Sequence, residues 1–277
     1  MRGSSLAQGL VLATALAGAD VRAAEAPAHP SPAFRLLELG GQKARWAGPD
    51  AGRPVTIRYA FLTEPAEFPG ARNCDAMLPP DAALQPSGID LSDFRGEVRA
   101  AFSTWEAAAN IRFVETPSVA DAGILIGADA KARGRAFTNV ALADGAAGAR
   151  ATGVGAIRQS LICLNPRRPW KIGFDGNLDV YDLRFTITHE IGHAIGLDHP
   201  SPEGQLMSFR YVEHARGLQP GDVAGAVALY GASGTIPTVE AGAGPASADR
   251  SRAPERVAPN DAALFGLGEP ARPQAAH

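Results

Sequence analysis

The sequence has little cysteine, little histidine and almost no excess of charge. Its 277 residues hold 2 Cys and 6 His, and the formal net charge is −3. A balance so near neutral leaves no electrostatic footprint for nucleic acid or another polyanion, so no nucleic-acid partner is expected. Two cysteines are too few for a disulfide-built scaffold. Beyond the N-terminal leader no apolar run reaches the length that a bilayer-crossing helix needs, and no membrane span is expected. No histidine stands between His29 and His189, so the long middle of the chain offers no imidazole to a metal.

The hydrophobic content of 45% fits a globular chain with one sizeable core and tails, and a monomer is expected. The two ends read differently from the middle. Arg2 followed by the apolar run Leu6 to Ala19, with small residues around Val21-Arg22-Ala23, reads as a signal peptide over residues 1–23. That places the protein in the secreted or periplasmic space. Pro27, Pro30 and Pro32 mark a flexible lead-in over 24–33. Residues 232–277, rich in Ala, Pro, Gly and charge, read as a disordered tail. One folded domain is expected between, over 34–231.

The densest chemistry lies in Phe185-Thr-Ile-Thr-His189-Glu190-Ile-Gly-His193-Ala-Ile-Gly196-Leu-Asp-His199, followed by Met207. On a helix His189 and His193 stand one turn apart on one face, where two neutral imidazoles can reach one zinc ion. Glu190 is placed beside them as a general base. Gly196 can take φ > 0 and end the helix, so that the chain turns back and delivers His199 as a third ligand. Three protein ligands leave one position of a tetrahedral zinc open, the mark of a catalytic rather than a structural site.

HEIGHAIGLDH followed by a methionine resembles the metzincin zinc endopeptidases and, within them, the matrixin (matrix metalloproteinase-like) family. The resemblance implies one catalytic Zn²⁺ held by His189, His193 and His199, a catalytic base at Glu190, and a Met-turn at Met207. Leu206-Met207-Ser-Phe-Arg-Tyr211 is similar to the family's pocket wall, making Tyr211 a substrate-pocket residue. Phe209 stands where the family usually has Pro, and also where some metzincins carry a tyrosine. Leu218 to Gly231 is similar to the closing helix, with Gly221 where a first Asp is common. The implied fold class is α+β: a twisted mixed β-sheet packed on an N-terminal helix and the HExxH helix, then a small C-terminal subdomain with the Met-turn and closing helix. The implied partner is an extended polypeptide substrate. A second, structural zinc is common in the family, but the gap in histidines leaves it without ligands here.

Along the chain, Val55, Ile57, Tyr59 and Phe61 alternate as in a half-buried strand over 54–62. Five prolines between 64 and 88 suggest a long loop. Leu91, Phe94, Val98, Ala101, Phe102 and Trp105 keep helical spacing over 90–109, with Asp90 or Ser92 as cap. Further strands are expected at 111–115, 121–127 and 155–165. Residues 135–142 read as an edge strand, which in the family pairs with substrate. The active-site helix is expected over 183–197.

An even cysteine count in an exported chain suggests one disulfide, Cys74 to Cys163; two buried free thiols are the alternative. A zinc-blocking cysteine is a third reading. The family's inhibitory cysteine lies upstream of the catalytic domain, in a motif that Arg72-Asn73-Cys74-Asp75 does not match. Asp175, Asp179 and Asp182 offer a Ca²⁺ site, against the plainer reading of a turn and a helix cap. The functional expectation is an exported zinc-dependent endopeptidase. A non-catalytic binding module on the same fold is the alternative, and the full set of Glu190 and three histidines argues against it.

Overall fold

The computed structural model describes residues 34–48, 53–143, 153–200 and 203–234. The expected signal peptide and lead-in fall outside the described residues, as does almost all of the expected tail. The strands are β1 (Arg35–Leu36), β2 (Glu38–Leu39), β3 (Gln42–Trp46), β4 (Val55–Phe61), β5 (Ala66–Glu67), β6 (Ala76–Leu78), β7 (Ile111–Glu115), β8 (Ile124–Asp129), β9 (Ala136–Leu142), β10 (Val154–Leu164), β11 (Trp170–Lys171), β12 (Tyr181–Asp182) and β13 (Leu197–Asp198). The helices are α1 (Asp81–Leu84), α2 (Leu91–Ala108), α3 (Leu183–Ala194) and α4 (Pro220–Tyr230).

The main sheet is mixed. It runs β2-β3-β10-β8-β4-β7, with β9 antiparallel on the other side of β10 and β6 antiparallel to the end of β8. The pairs β4–β7, β4–β8, β8–β10 and β3–β10 are parallel. Parallel neighbours need a crossover, and α2 supplies the one between β4 and β7. Its apolar stripe of Phe94, Val98, Ala101, Phe102 and Trp105 is buried, packing on the inward residues of β4 and β7. Tyr59, Phe102 and Phe113 stack in sequence, with neighbouring ring centroids 4.3 Å apart.

The second face of the sheet departs from expectation. Residues 64–88 are not one loop: they hold the β5–β6 hairpin, α1 and a short 3-10 turn. Pro80 caps α1, at a helix start where the missing N–H of proline costs nothing. This segment lies over the outer side chains of β8, β9 and β10. A disulfide joins Cys74 to Cys163 there, among Ala60, Leu62, Met77, Leu125, Phe137 and Leu161. The cover explains why β4 alternates at its start yet is buried on both faces at its end, and why every residue of β8 is buried.

α3 is the buried centre, with Ile187, Ile191 and Ile195 all at 0% exposure. Trp105 of α2 donates its indole N–H to the Thr188 carbonyl (2.9 Å). Gly192 is what lets α3 approach its neighbours. A Cβ there would run into Met207 Sδ and stand 3.0 Å from Trp105 Cζ2. The helix ends at Ala194, three residues short of the expected Leu197. Its last carbonyls are taken by side chains from elsewhere: Ala194 O accepts from Trp46 Nε1 (2.9 Å) and Ser160 Oγ (3.1 Å), and Ile195 O from the Tyr230 hydroxyl (2.6 Å). Gly196 then takes φ +104°, where a side chain would collide with Ala44 O.

Candidate metal centre and active site

His189 and His193 project from one face of α3, and the turn at Gly196 returns His199 to the same point. The three Nε2 atoms lie 3.1 Å (189–193) and 3.2 Å (189–199 and 193–199) apart. All three rings are buried. His189 Nδ1 donates to Leu206 O and His193 Nδ1 to Leu197 O, each at 2.9 Å. Those bonds put the ring proton on Nδ1 and leave a lone pair on Nε2. Burial, reinforced for His189 by its histidine neighbours, holds all three imidazoles below their ordinary pKa and so neutral. Converging lone pairs in a dry site repel unless a cation sits among them. Ligands at zinc–nitrogen bond lengths around a tetrahedral ion stand about 3.3 Å apart, so the donor set fits Zn²⁺. Among the described residues this is the one cluster of three or more His, Cys, Asp or Glu side chains that could hold a metal.

Glu190 is fully buried beside the ligands. Its Oε2 accepts from the Thr138 hydroxyl (2.6 Å), which also lies 3.0 Å from Glu190 O. Its Oε1 has no hydrogen-bond partner among the described residues. Burial pushes the carboxyl up to about 7, against the opposing pull of the Thr138 bond and the Arg135 charge. One oxygen is thus tethered to β9, and the other makes no hydrogen bond to the described residues.

Met207 sits under α3 against Gly192. Asp222 of α4 fixes the turn that carries it: Oδ2 accepts from Leu206 N (2.8 Å) and Oδ1 from Met207 N (3.0 Å). Phe209 stacks on His199, with centroids 3.8 Å apart and planes 23° apart, and is 40% exposed. Tyr211 is buried. Its hydroxyl accepts from Asp182 N (2.8 Å) and donates to Glu213 (2.6 Å). Its ring meets Phe174, Tyr181 and Phe185 edge-on, and the buried Arg135 guanidinium lies 4.5 Å from the Tyr181 ring and 5.2 Å from the Tyr211 ring.

Around the aspartates offered for Ca²⁺, the plainer reading of a turn and a helix cap holds, and the chain's own cations take the carboxylates. Lys171 pairs with Asp175, and its ammonium also reaches Glu213 (2.6 Å) and Asn177 O (2.8 Å). Asp182 caps α3 through Phe185 N (2.8 Å) and pairs with Arg216. Among the described residues the three aspartates do not gather into a group that could hold a metal.

Sequence reasoning missed Thr138, the anchor made by Asp222, and the stacking of Phe209 on His199. Thr138 left a trace: it is the polar member of the inward set Ala136, Thr138, Val140 on β9. The other two depend on contacts between distant segments.

Comparison with known proteins matches a family model described as Matrixin to residues 83–231, just over half of the chain. Metalloendoproteinase 1-MMP of Arabidopsis thaliana is 33% identical over 144 residues, 50% of this chain and 38% of that protein. Probable matrix metalloproteinase 095L of Invertebrate iridescent virus 3 is 37% identical over 75 residues, 26% of this chain and 20% of that protein. The chain spans less than two-fifths of the length of these curated relatives.

Proposed function

The chain belongs to the matrixin family, and from that membership we propose that it is a zinc-dependent endopeptidase exported by its N-terminal signal. The observation that carries the reading is the convergence of three buried imidazole Nε2 atoms beside a glutamate with one unbonded oxygen.

His189, His193 and His199 would hold the metal through Nε2. Zinc bound there supplies Lewis acidity toward water and a peptide carbonyl. Glu190 Oε1 takes a proton from the attacking water and passes it to the leaving amine nitrogen. Thr138 keeps Oε2 in place through both transfers. It donates to Oε2 while Oε1 gains the proton and while Oε1 gives the proton up, because Oε2 is an acceptor in both states. β9 is paired on one side by β10, and an extended substrate adds to its other edge as a further strand. Tyr211 walls the pocket that takes a substrate side chain, held rigid by its two hydrogen bonds. Met207 forms the floor beneath the ligands.

The test is metal content of the purified protein beside cleavage of a quenched peptide library. One zinc per chain, with cleavage abolished by 1,10-phenanthroline and by Glu190→Ala while Glu190→Ala keeps its zinc, supports the reading. Turnover retained in Glu190→Ala overturns the role of Glu190. A zinc-loaded wild type that cleaves nothing in the library points instead to a binding module.

A further inference from the structure

Two of the three metal-facing histidines depend on one short strand. β13 is two residues long and leads directly into His199. Its Leu197 carbonyl also accepts the Nδ1 proton of His193 (2.9 Å), so β13 delivers one ligand and orients another. Among the described residues the one strand it pairs with is β1, in the register Arg35↔Asp198 and Leu36↔Leu197. Leu37 N continues the ladder to Gly196 O (2.9 Å), and Leu37 O ties the strap to the main sheet through Ala44 N (2.8 Å).

Side chains lock the same contact. Asp198 Oδ2 pairs with Arg35 Nε at 2.8 Å. Asp198 Oδ1 accepts from His199 N at 2.8 Å and lies 3.6 Å from His199 Nδ1. One carboxylate thus links the strap to the backbone of the third ligand. Phe34 lies over Gly225 of α4, with 3.1 Å between its Cβ and a Cβ built on that glycine, and lines a crevice with Leu197 and Met207. His189 and His193 are fixed by a buried helix, whereas His199 follows a turn and is held by this clasp.

We propose that residues 34–37 form a clasp on the third ligand, and that Arg35, acting through Asp198, is a positioning residue that sets how firmly the site retains its metal. The inference rests on the reading of the three histidines as a zinc site and goes beyond it. It makes the N-terminal strap a control point: whatever displaces the strap, whether a cut in the chain or a competing strand, loosens the metal before it touches the ligands. Partners that orient metal ligands typically contribute about 10- to 100-fold in affinity, and Arg35 stands one step further out than Asp198.

The experiment is zinc competition with a fluorescent chelator on the full chain. It compares wild type, Arg35→Ala, Asp198→Ala, the double variant, and Arg95→Ala as a control at a surface ion pair away from the site. Asp198→Ala is expected to weaken zinc binding by about 10-fold or more, and Arg35→Ala by a smaller, measurable factor of about 3. The double variant is expected to match Asp198→Ala alone, because Arg35 works through that carboxylate, and Arg95→Ala to match wild type. Far-UV circular dichroism of the metal-free variants separates a lost clasp from a lost fold. For folded variants, unchanged affinity in Arg35→Ala, or a double variant whose losses simply add, overturns the proposal. A wild type that binds zinc without cleaving peptides overturns the peptidase reading and leaves this test intact. A wild type that binds no zinc overturns both.

Discussion

Thr138 Oγ1 lies 2.6 Å from Glu190 Oε2 and 3.0 Å from Glu190 O, both residues being buried. A hydroxyl has one proton to give, to Oε2 at the shorter distance or to the carbonyl, and Oε2 accepts it whether or not Oε1 carries a proton. Thr138→Val keeps the shape and removes both options. A hydrogen bond to a charged group is worth about 1.5–3 kcal/mol, which corresponds to roughly 10- to 100-fold in rate if it is spent on orientation. The expected result is a fall in kcat of that order with KM little changed and zinc content intact. Thr138→Ser should restore most of the rate. Steady-state kinetics on a single fluorogenic peptide decides it, and an unchanged kcat in Thr138→Val removes Thr138 from the mechanism.

Gly192 is the point of closest approach among α3, Met207 and Trp105. Alanine favours helix by about 1 kcal/mol over glycine, so an exposed Gly→Ala in a helix would stabilise. Here the added methyl meets the sulfur of Met207 in a closed core. Overpacking of that kind costs about 1–3 kcal/mol, so the sign should reverse. Gly192→Ala is expected to lower the urea midpoint, and Gly192→Ala with Met207→Ala to recover part of the loss. A midpoint above wild type for the single variant would show that the Met-turn yields at no cost.

The Cys74–Cys163 bridge spans 89 residues and fastens the β5–β6 segment to β10 on the face of the sheet away from α3. The loop-entropy model assigns such a closure up to about 4–5 kcal/mol. Both cysteines are fully buried in an apolar cluster, so alanine is the cleaner replacement. The double variant Cys74→Ala/Cys163→Ala should lose several kcal/mol in urea unfolding, while its zinc content per chain stays at the wild-type value. Reducing the wild type should reproduce most of the loss. If reduction leaves the midpoint in place, the segment is held by its packing and not by the bridge.

Much of this architecture was legible because it repeats locally. The alternation of Val55, Ile57, Tyr59 and Phe61 marked β4, and the spacing of Phe94, Val98, Phe102 and Trp105 marked α2. His189 and His193 stand at i and i+4, so their convergence follows from helix geometry alone, and Gly196 marked the turn that returns His199. What escaped depends on partners far away in the chain. The prolines of 64–88 argued for a loop, because β5 and β6 gain their pairing from each other and from the end of β8. The aspartates after Phe174 left a Ca²⁺ site open beside the plainer turn and cap, because nothing nearby announced that Glu213 would join Asp175 around the Lys171 ammonium. Cys74 and Cys163 suggested a bridge by their even count, but only the strand register shows how residues 89 apart in the chain come together.

The metal-free site carries a pH signature whose sign follows from its burial. The three histidines are held below the ordinary imidazole range when folded, chiefly by desolvation. As the pH falls through about 6.5 the unfolded chain takes up protons there and the folded chain does not, so these groups withdraw stability on acidification. Glu190 acts in the opposite sense. Its folded value of about 7 lies above the ordinary 4.5, so between those values the folded state holds the extra proton and gains stability as the pH falls. Three groups oppose one, and the net effect is a loss. Urea unfolding of chelator-treated protein should therefore give a lower midpoint at pH 5.5 than at pH 7.5. Replacing Glu190 by Gln removes the opposing group, so the fall should become steeper. A midpoint that rises on acidification would mean that Glu190 dominates the centre and that the imidazoles are already solvated without their metal.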